Sequence, residues 1–335
     1  PLSLERNTIA NLVAEECVVS LKTDGCRYLL LLTQSRDGQC VALMINRSMV
    51  MYEIEVWAHS KYFEGDGSLF DGELVWEYDN YKSRMRYIIY DVVRIAGDLQ
   101  TQNSYTTRMQ TVFGRILSES PDTITEEALL SMDGIISGYN DHGLIFLVKK
   151  FMPIQKIQQL WDKRSHCPHK NDGLIFTLVN RPIGINTSDC IYKWKSAHTI
   201  DLRVARNAME GEGSEGEDTC DQEGVGAWNV YAQQGADTVL LSHISLRGKQ
   251  FKMQMKVNDV VSEDVVIECE CTIDEDAQLV SIFPLKCRID KNAPNSVQTI
   301  HRTLINILEN VGIEGLVAGV TSRPRVCVKL SILCY

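Results

Sequence analysis

The stretch CVVSLKTDGCR, residues 17–27, contains the feature on which the interpretation of this sequence depends. Its apolar first half, Cys17–Leu21, is typical of a β-strand, and the Asp24-Gly25 pair is typical of a turn. Lys22 stands between the two, at a strand end from which a lysine can reach the mouth of a cleft. Alone, this is the pattern of an ordinary surface lysine in a turn, so its meaning has to come from the rest of the chain.

The residues around this stretch predict a structure rich in sheets. Asp37-Gly38 indicates a turn between two strands. The segments with strand-like composition are Tyr28–Leu32, Cys40–Ile45, Ser68–Trp76, Tyr87–Ile95, Gly173–Leu178 and Ile191–Trp194. Apolar residues at helical spacing predict helices over Ser104–Leu117 and Ile154–Trp161.

The character of the sequence changes near Asp201. Short strands are predicted over Thr238–Ser242, Lys252–Val257, Val265–Thr272 and Leu279–Phe283, and one helix, Ser296–Asn310, follows them with Gly312 as its stop. Short strands with a single helix favour a small barrel of the OB type. We therefore expect an α+β protein with a first domain of antiparallel sheets with helices over residues 1–202, an OB-fold β-barrel over residues 203–320, and a C-terminal tail or linker over residues 321–335.

The composition excludes several classes of protein. The chain has 335 residues, 44% hydrophobic and 23% charged, which is typical of about two globular domains and not of a disordered chain. No apolar run approaches the roughly 18 residues of a membrane span, so we expect no membrane partner. The sequence starts at Pro1 without a signal-peptide pattern, and we expect it to be a piece of a longer or processed protein.

Charge and cysteine content narrow the class further. The net charge of −10 argues against a general nucleic-acid coat, because such proteins neutralise phosphates with Lys and Arg. Seven acidic residues lie in Met209–Val225, which has no Lys, Arg or His and is predicted to be a flexible surface loop; this leaves −3 for the remaining chain. The eleven cysteines are scattered without a CxxC pair, which favours a reducing compartment.

Six short motifs acquire meaning from their order. Each is weak alone, because a turn with acids or a strand with alternating lysines is common on protein surfaces. They are KTDGCR (22–27), FDGEL (70–74), YIIYDVV (87–93), DGLIF (172–176), KWKSAHTIDL (193–202) and RIDKNAPN (288–295). In this order they resemble the motif series of the covalent nucleotidyltransferases, the superfamily of mRNA capping enzymes and ATP- or NAD-dependent polynucleotide ligases.

Two features resemble the capping branch of this superfamily. Thr199-Ile200-Asp201 after the paired lysines, and Pro294-Asn295 in the last motif, look like those of GTP:RNA guanylyltransferases. The resemblance implies a nucleotidyltransferase domain over residues 1–202 and the last motif on the OB-fold domain. Two alternatives stay open: an RNA or DNA ligase that uses ATP, and a catalytically inert relative that binds RNA or a partner protein.

The resemblance implies two nucleotidyl transfers through a covalent enzyme–GMP intermediate. A lysine amine attacks the α-phosphorus of GTP and expels pyrophosphate, and the 5′-diphosphate end of RNA then takes the GMP to form the GpppN cap. Lys22 is the implied nucleophile. Under about 1% of a lysine with the ordinary pKa of about 10.4 is neutral at pH 7, so nearby cations and partial desolvation assist this chemistry.

The remaining implied catalytic residues act on the negative charge of the GTP phosphates. They are Lys193 and Lys195 near the α-phosphate, and Arg288, Asp290 and Lys291 near the β- and γ-phosphates. Asp172 and Glu73 are the implied ligands of Mg²⁺ or Mn²⁺, since Mg²⁺ takes oxygen ligands and needs only one or two carboxylates from the protein.

Five further residues are implied to bind GTP. Arg27 and Arg47 correspond to contacts with the ribose and the phosphates, although the family usually has Asp at the position before Arg47. Tyr90 corresponds to an aromatic residue stacked on guanine. Thr23 and Lys149 are candidates for reading the edge of the base.

The implied partners are GTP and 5′-diphosphate RNA, with an RNA triphosphatase and a cap methyltransferase fused to the enzyme or associated with it. We expect the nucleus for a cellular enzyme and the host cytoplasm for a virus that replicates there. His166, Cys167 and His169 do not predict a zinc site, because no second ligand pair stands at a fitting spacing. Arg108 matches an arginine after the third motif or is an ordinary residue of a helix surface.

Overall fold

The computed structural model describes residues 1–79, 82–113, 116–117, 135–137, 144–183, 190–206, 228–256, 264–289 and 291–321. The predicted acidic loop, Asp290 and nearly all of the predicted C-terminal tail lie outside these residues. The chain divides into two compact units. The first contains Pro1–Ser196 and Ile313–Tyr335, and the second contains Ala197–Gly312.

The first unit is built mainly from strands. Its strands are β1 (Leu2–Ser3), β2 (Cys17–Thr23), β3 (Cys26–Gln34), β4 (Cys40–Asn46), β5 (Met51–Ile54), β6 (Val56–Ala58), β7 (Ser68–Asp79), β8 (Lys82–Ile95), β9 (Asp98–Leu99), β10 (Ile116–Leu117), β11 (Ile135–Ser137), β12 (Ile145–Val148), β13 (Met152–Pro153), β14 (Asn171–Leu178) and β15 (Ile191–Lys195). Its α-helices and short 3₁₀ helices are Arg6–Thr8, α1 (Ile9–Ala14), Ser60–Tyr62, α2 (Tyr105–Val112), Ile154–Lys156, α3 (Ile157–Asp162) and Arg164–His166.

Two sheets of the first unit carry the motif residues. The five-stranded sheet has the order β1-β15-β14-β2-β13, and the seven-stranded sheet has the order β12-β8-β7-β3-β4-β5 with β9 beside β8. Strands β6, β10 and β11 form a third, smaller sheet. The turn predicted at Asp37-Gly38 joins β3 to β4, and Gly38 has a φ of 80°, which is readily available only to glycine.

The core of the seven-stranded sheet follows the alternation of its strands. Leu30 and Leu32 on β3 are fully buried, and so are Phe70 on β7 and Tyr87 on β8. The hydroxyl of Tyr87 donates to the backbone oxygen of Tyr28 at 2.9 Å, which satisfies the one polar atom that this ring brings into the core.

The second unit is one mixed sheet covered by a helix. Its strands are β16 (Thr199–Arg206), β17 (Trp228–Gln234), β18 (Asp237–Leu240), β19 (His243–Leu246), β20 (Lys249–Met255), β21 (Val265–Asp274) and β22 (Leu279–Cys287). The pairings run in the order β18-β17-β16-β21-β22-β20-β19, so the described strands form a path with two ends and do not close on themselves.

The helix of the second unit, α4 (Val297–Glu309), begins and ends as its sequence dictates. Ser296 caps it by accepting a hydrogen bond from the backbone N–H of Thr299 at 3.1 Å. Ile300 and Leu304, four residues apart, are fully buried against the sheet. The helix ends at Asn310 in the left-handed conformation, two residues before the glycine predicted to stop it.

Several predicted boundaries differ from the structure. The boundary at residue 202 falls inside β16, which belongs wholly to the second unit because it pairs along its length with β21. The last helix, α5 (Ile313–Thr321), returns to the first unit and packs on α1. Helix α2 ends at Val112, since the backbone becomes extended at Phe113, and Ile116–Leu117 is a strand rather than the end of the predicted helix.

Among the described residues, no single helix is both long and apolar enough to cross a membrane. Helices α4 and α5 meet this test by length and composition only when they are taken together.

Candidate active site

Two of the motif lysines face each other across Gly173. Strand β14 lies between β2 and β15, and the register places Gly173 opposite Lys22 on one side and opposite Lys195 on the other. A Cβ atom at Gly173 would lie 2.0 Å from the backbone oxygen of Trp194, so a larger residue does not fit. Cross-strand neighbours share a face of the sheet, and Gly173 has no side chain of its own to separate the two lysines.

Asp172 joins these two lysines. The pairing of β14 with β2 shifts its register between Asn171 and Gly173, and Asp172 occupies this irregularity. Its Oδ1 accepts a hydrogen bond from Lys22 Nζ at 2.6 Å, and its Oδ2 lies 2.8 Å from Lys195 Nζ. Burial acts to raise the pKa of Asp172, but hydrogen bonds from Lys195 and Lys22 outweigh it and hold the pKa below its usual value. The carboxylate is therefore ionised at neutral pH.

Lys193 lies on the same strand as Lys195. Both are half-buried, and they alternate with the buried Tyr192 and Trp194, as the sequence pattern predicts. The two ammonium groups therefore extend from one face of β15.

A neighbouring cluster on the other sheet is organised by Asp71. Arg27 binds it with two hydrogen bonds, Nε to Oδ1 at 2.8 Å and Nη2 to Oδ2 at 2.6 Å, and this pairing is the main reason that the pKa of Arg27 is raised. Tyr90 lies near Asp71 and Arg27, and burial is the main cause that raises the pKa of its hydroxyl. The backbone oxygen of Tyr90 accepts a hydrogen bond from the Tyr105 hydroxyl at 3.0 Å, which ties this part of β8 to helix α2.

Arg47 is exposed in the turn after β4. Asn46 shapes this turn, because its Oδ1 accepts two backbone N–H hydrogen bonds, each 2.9 Å long. The charges of Lys193, Arg27 and Arg47 all act on the nitrogen of Pro1, the first residue of the given sequence. The three cations therefore act on one region of the first unit.

A buried polar network connects Lys149, Thr23 and Glu73. Lys149 follows β12 and donates a hydrogen bond from Nζ to Oγ1 of Thr23, the last residue of β2. Glu73 on β7 lies close to Thr23, Gly25 and Lys149, all of which act on the pKa of its carboxyl group. Lys149 is buried, whereas the adjacent Lys150 is exposed, which selects Lys149 from the two neighbouring lysines.

Burial sets the protonation of this network. It lowers the pKa of Lys149 to about 8, against the opposing attraction of Glu73. It also raises the pKa of Glu73, although Lys149, Thr23 and Lys22 all favour the charged carboxylate. The network is therefore a place where a charge is easily gained or lost, which is common at functional sites.

In the second unit, the motif residues gather around Asp201. Arg288 Nη1 donates to Asp201 Oδ1 at 3.0 Å, and Lys291 Nζ donates to Oδ2. The backbone N–H of Asp201 in turn donates to Asn295 Oδ1 at 2.8 Å. The side chain of Asp201 is only 8% exposed, so it is the anchor of this cluster. Asp290, predicted to stand between the two cations, lies outside the described residues.

The donor set of the first unit fits a divalent cation that is shared with a substrate. Asp172 and Glu73 provide the hard carboxylate oxygens that Mg²⁺ and Mn²⁺ prefer. Within the described part of the chain, no three His, Cys, Asp or Glu side chains form a group that could hold a metal ion. Phosphate oxygens and water would therefore have to complete the coordination, which is the usual arrangement for Mg²⁺.

The sequence analysis assigned no role to some acidic residues of these clusters. Asp71 stands two residues before Glu73 on β7, so the alternation of a strand already places both on one face. Glu268 is opposite Asp201 in the register of β21 and lies 3.5 Å from Arg288. Asp71 is part of the FDGEL motif, whereas Glu268 lies in none of the six motifs, and neither could be given a role without the pairing of the strands.

The interpretation of Arg108 as an ordinary residue of a helix surface is wrong. It is 2% exposed, and its Nε and Nη2 bind the two carboxylate oxygens of Asp91 at 2.7 and 2.8 Å. Asp91 follows Tyr90 on β8, so this buried pair fixes helix α2 against the strand that carries Tyr90. Arg108 is neither a residue of a helix surface nor one that is accessible to a ligand.

Comparison of this chain with known proteins identifies the family to which it belongs. The family described as "mRNA capping enzyme, catalytic domain" matches residues 1–197, which contain the clusters around Asp172, Asp71 and Lys149. The chain belongs to this family. Capping enzymes of this family are nucleotidyltransferases, and the chain is an mRNA guanylyltransferase with GTP and RNA as its substrates.

Relatives of this capping enzyme occur in fungi and animals. The mRNA-capping enzyme subunit alpha of Neurospora crassa is 24% identical over 96% of this chain and 83% of its own length. The protein of the same name from Schizosaccharomyces pombe is 24% identical over 94% of this chain and 77% of its own length. The mRNA-capping enzyme of Danio rerio is 26% identical over 64% of this chain and 35% of its own length.

Among solved structures, a mycobacterial DNA ligase D complexed with ATP and MES is similar to this chain. The similarity has a TM-score of 0.43 and a sequence identity of 13%, and it covers 87% of this chain and 95% of the ligase chain.

Proposed function

We propose that Lys22 is the nucleophile of this guanylyltransferase and that it carries GMP from GTP to RNA. The observation that carries the proposal is the bridge from Asp172 to both Lys22 and Lys195 inside the family's catalytic domain. In the first step, the neutral amine of Lys22 attacks the α-phosphorus of GTP. A nitrogen–phosphorus bond forms, the bond to the bridging oxygen breaks, pyrophosphate leaves with that electron pair, and the nitrogen releases one proton to water.

Asp172 positions this nucleophile. Because its pKa is held below the usual value, it is a poor acceptor of a proton and a good anchor for cations. It orients the Lys22 nitrogen and holds Lys195 beside it, where the Lys195 charge stabilises the charge that develops on the α-phosphate. Lys193, on the same face of β15, adds to this effect.

The polar network and the Asp71 cluster bind the nucleoside. Lys149 and Thr23 present donors to the guanine edge, and the ring of Tyr90 offers a face for stacking. Arg27 and Arg47 contact the ribose and the phosphates. Because Arg27 is already held by two hydrogen bonds to Asp71, its guanidinium is organised before GTP binds.

Asp172 and Glu73 would hold Mg²⁺ or Mn²⁺ together with the substrate. The cation would supply positive charge that weakens the bond to the leaving pyrophosphate. For Arg288 and Lys291 of the second unit, we infer a role in neutralising the same leaving group, with Asp201 keeping them in place until then.

The second transfer and the wider assembly follow from the family. The terminal phosphate oxygen of 5′-diphosphate RNA attacks the phosphorus of the Lys22 adduct, the nitrogen–phosphorus bond breaks, and the GpppN end forms. Relatives named "subunit alpha" imply a further subunit, and we infer that an RNA triphosphatase and a cap methyltransferase work with this chain. We also infer that β16–β22 belong to an OB-type barrel, and that the enzyme acts in the compartment where its RNA is made.

The test is the intact mass of the protein after incubation with GTP and Mg²⁺, with ATP in parallel. We expect an increase of one GMP that is labile in acid and reversed by pyrophosphate. Lys22→Ala is expected to abolish it with no change in the circular dichroism spectrum, and Lys163→Ala, at an exposed lysine, is the matched control that keeps it. An AMP adduct, or an undiminished GMP adduct in Lys22→Ala, would overturn the assignment.

A further inference from the structure

A surface cavity of the first unit contains a thiol paired with an imidazole. The cavity has a volume of about 550 Å³, and Asp24 lines it together with the residues from Arg164 to Asn171 except His166. Cys167 is partly exposed there, and its Sγ lies 3.1 Å from Nε2 of His169. This is the distance at which a thiol hands its proton to a histidine.

The opposite side of the imidazole faces a carboxylate. His169 Nδ1 lies 3.6 Å from Glu77 Oε1, just beyond the length of a hydrogen bond. Glu77 is 9% exposed and is fixed by a hydrogen bond from Arg86 Nε at 2.8 Å. A thiol, an imidazole and a fixed carboxylate in this order are the arrangement that activates nucleophilic cysteines, with the carboxylate orienting the ring and stabilising its protonated form.

Burial and Lys149 keep the His169 ring neutral, whereas Glu77 favours its protonated form. Burial, and after it the charge of Lys149, lower the pKa of His169. The ring is therefore neutral at neutral pH, and the tautomer that can act as the base has its lone pair towards the sulfur and its N–H towards Glu77. Once the ring takes a proton, it carries a positive charge next to the thiolate, which stabilises the ion pair.

The other thiols of the described chain have different surroundings. Cys17, Cys269 and Cys271 are buried, and burial raises the pKa of each. Cys40 and Cys287 are more exposed than Cys167. They therefore measure what exposure alone contributes to reactivity.

We propose that Cys167 is a modification site, a nucleophilic thiol for which His169 is the base and a small peroxide is the substrate. The thiolate sulfur attacks one oxygen of hydrogen peroxide, a sulfur–oxygen bond forms and the oxygen–oxygen bond breaks. The departing hydroxide takes the proton from His169 and becomes water. Sulfur is oxidised by two electrons to a sulfenic acid, and the peroxide is reduced.

This site lies next to the nucleotide-binding network but has separate chemistry. Strand β14 follows the cavity residues, and Lys149 interacts electrostatically with both Cys167 and His169. The proposal concerns the reactivity of the thiol and not the transfer of GMP. The two proposals are tested by different products, a sulfenic acid on Cys167 and a GMP adduct on Lys22. If one proposal fails, the other is not affected.

The test is sulfenic acid mapping on the full chain. The protein is treated with limiting hydrogen peroxide in the presence of dimedone, and the labelled cysteines are quantified by peptide mass spectrometry over time. We expect Cys167 to be labelled at least tenfold faster than the more exposed Cys40 and Cys287. Labelling of Cys167 no faster than these two would overturn the proposal, and since all three are compared in one folded molecule, the result does not depend on any variant.

A variant then tests the base. His169→Gln keeps a polar side chain but removes the imidazole, and it is expected to reduce the labelling of Cys167 to the rate of Cys40. Labelling of Cys167 at the original rate in folded His169→Gln would show that exposure and not His169 activates the thiol.

Discussion

Replacing Lys149 with methionine is expected to stabilise the protein at neutral pH while it damages GTP binding. Methionine has a similar length and flexibility and no charge to bury. Burial lowers the pKa of Lys149 from 10.5 to about 8, and each pKa unit corresponds to about 1.4 kcal/mol, so the buried ammonium costs about 3 kcal/mol at pH 7. The variant also loses the hydrogen bond to Thr23, which destabilises it by about 1 kcal/mol and offsets part of this gain. The net expectation is a gain of about 2 kcal/mol in the free energy of unfolding.

The difference in stability between the wild type and Lys149→Met is expected to depend on pH. Below pH 8, Lys149 is charged in both the folded and the unfolded chain, and the wild type bears the full cost of burial. Between pH 8 and about pH 10.5, the folded protein has released this proton while the unfolded chain still holds it, so the wild type gains stability relative to Lys149→Met. The advantage of the variant therefore shrinks as pH rises and is lost by about pH 10.

The assay is urea unfolding of both proteins at pH 7 and pH 10. The difference between them cancels the titration of tyrosines and thiols that they share. Lys150→Met, at the exposed neighbouring position, is the control and should show no pH-dependent difference. The reasoning is refuted if Lys149→Met is less stable than the wild type at pH 7, or if the difference in stability is the same at both pH values.

Three other substitutions test the framework of the site. Asp172→Asn removes the charge that anchors two lysines and is expected to slow formation of the GMP adduct by about 100-fold or more, read by quenched-flow mass spectrometry; a loss under threefold contradicts this. Arg108→Met leaves Asp91 buried without its partner and should lower the free energy of unfolding by about 3–5 kcal/mol, most of which Arg108→Met with Asp91→Leu recovers in urea unfolding. Gly173→Ala cannot fit its Cβ against the facing strand and should abolish the adduct, whereas Gly315→Ala, where the added carbon meets open space, should leave adduct yield unchanged.

The sequence was most informative where local pattern decides structure. The run from Cys17, the turn at Gly38 and the alternation of Lys193 with Lys195 follow from side-chain periodicity and glycine conformation, and each agrees with the structure. The helix predicted from Ser104 began in the right place, because Ser104 is a good cap. It was predicted too long, since apolar spacing continues past Val112 while the backbone does not.

Contacts between distant segments were the part that spacing could not predict. The bridge from Asp172 to Lys22 joins residues far apart in the chain and depends on β14 lying between β2 and β15. Arg108 shows the same limit, since its sequence surroundings are polar and ordinary, and only the meeting of α2 with β8 makes it a buried partner of Asp91. The order of the motifs along the chain predicted the protein family. It did not predict which acidic and basic side chains form ion pairs with each other.

The return of α5 to the first unit has a consequence for how the protein is made. Leu12 on α1 and Leu316 on α5 are both fully buried, and a Cβ atom at Gly319 would lie 3.0 Å from Ile9, so the two helices meet closely. During translation, α1 leaves the ribosome long before α5 is synthesised, and the whole second unit emerges in between. Until α5 is synthesised, the apolar surface of α1 that it covers is exposed in the nascent first unit. A chaperone can bind such an exposed apolar surface. An excised fragment of residues 1–197 would keep that surface exposed permanently and should aggregate where the longer chain does not.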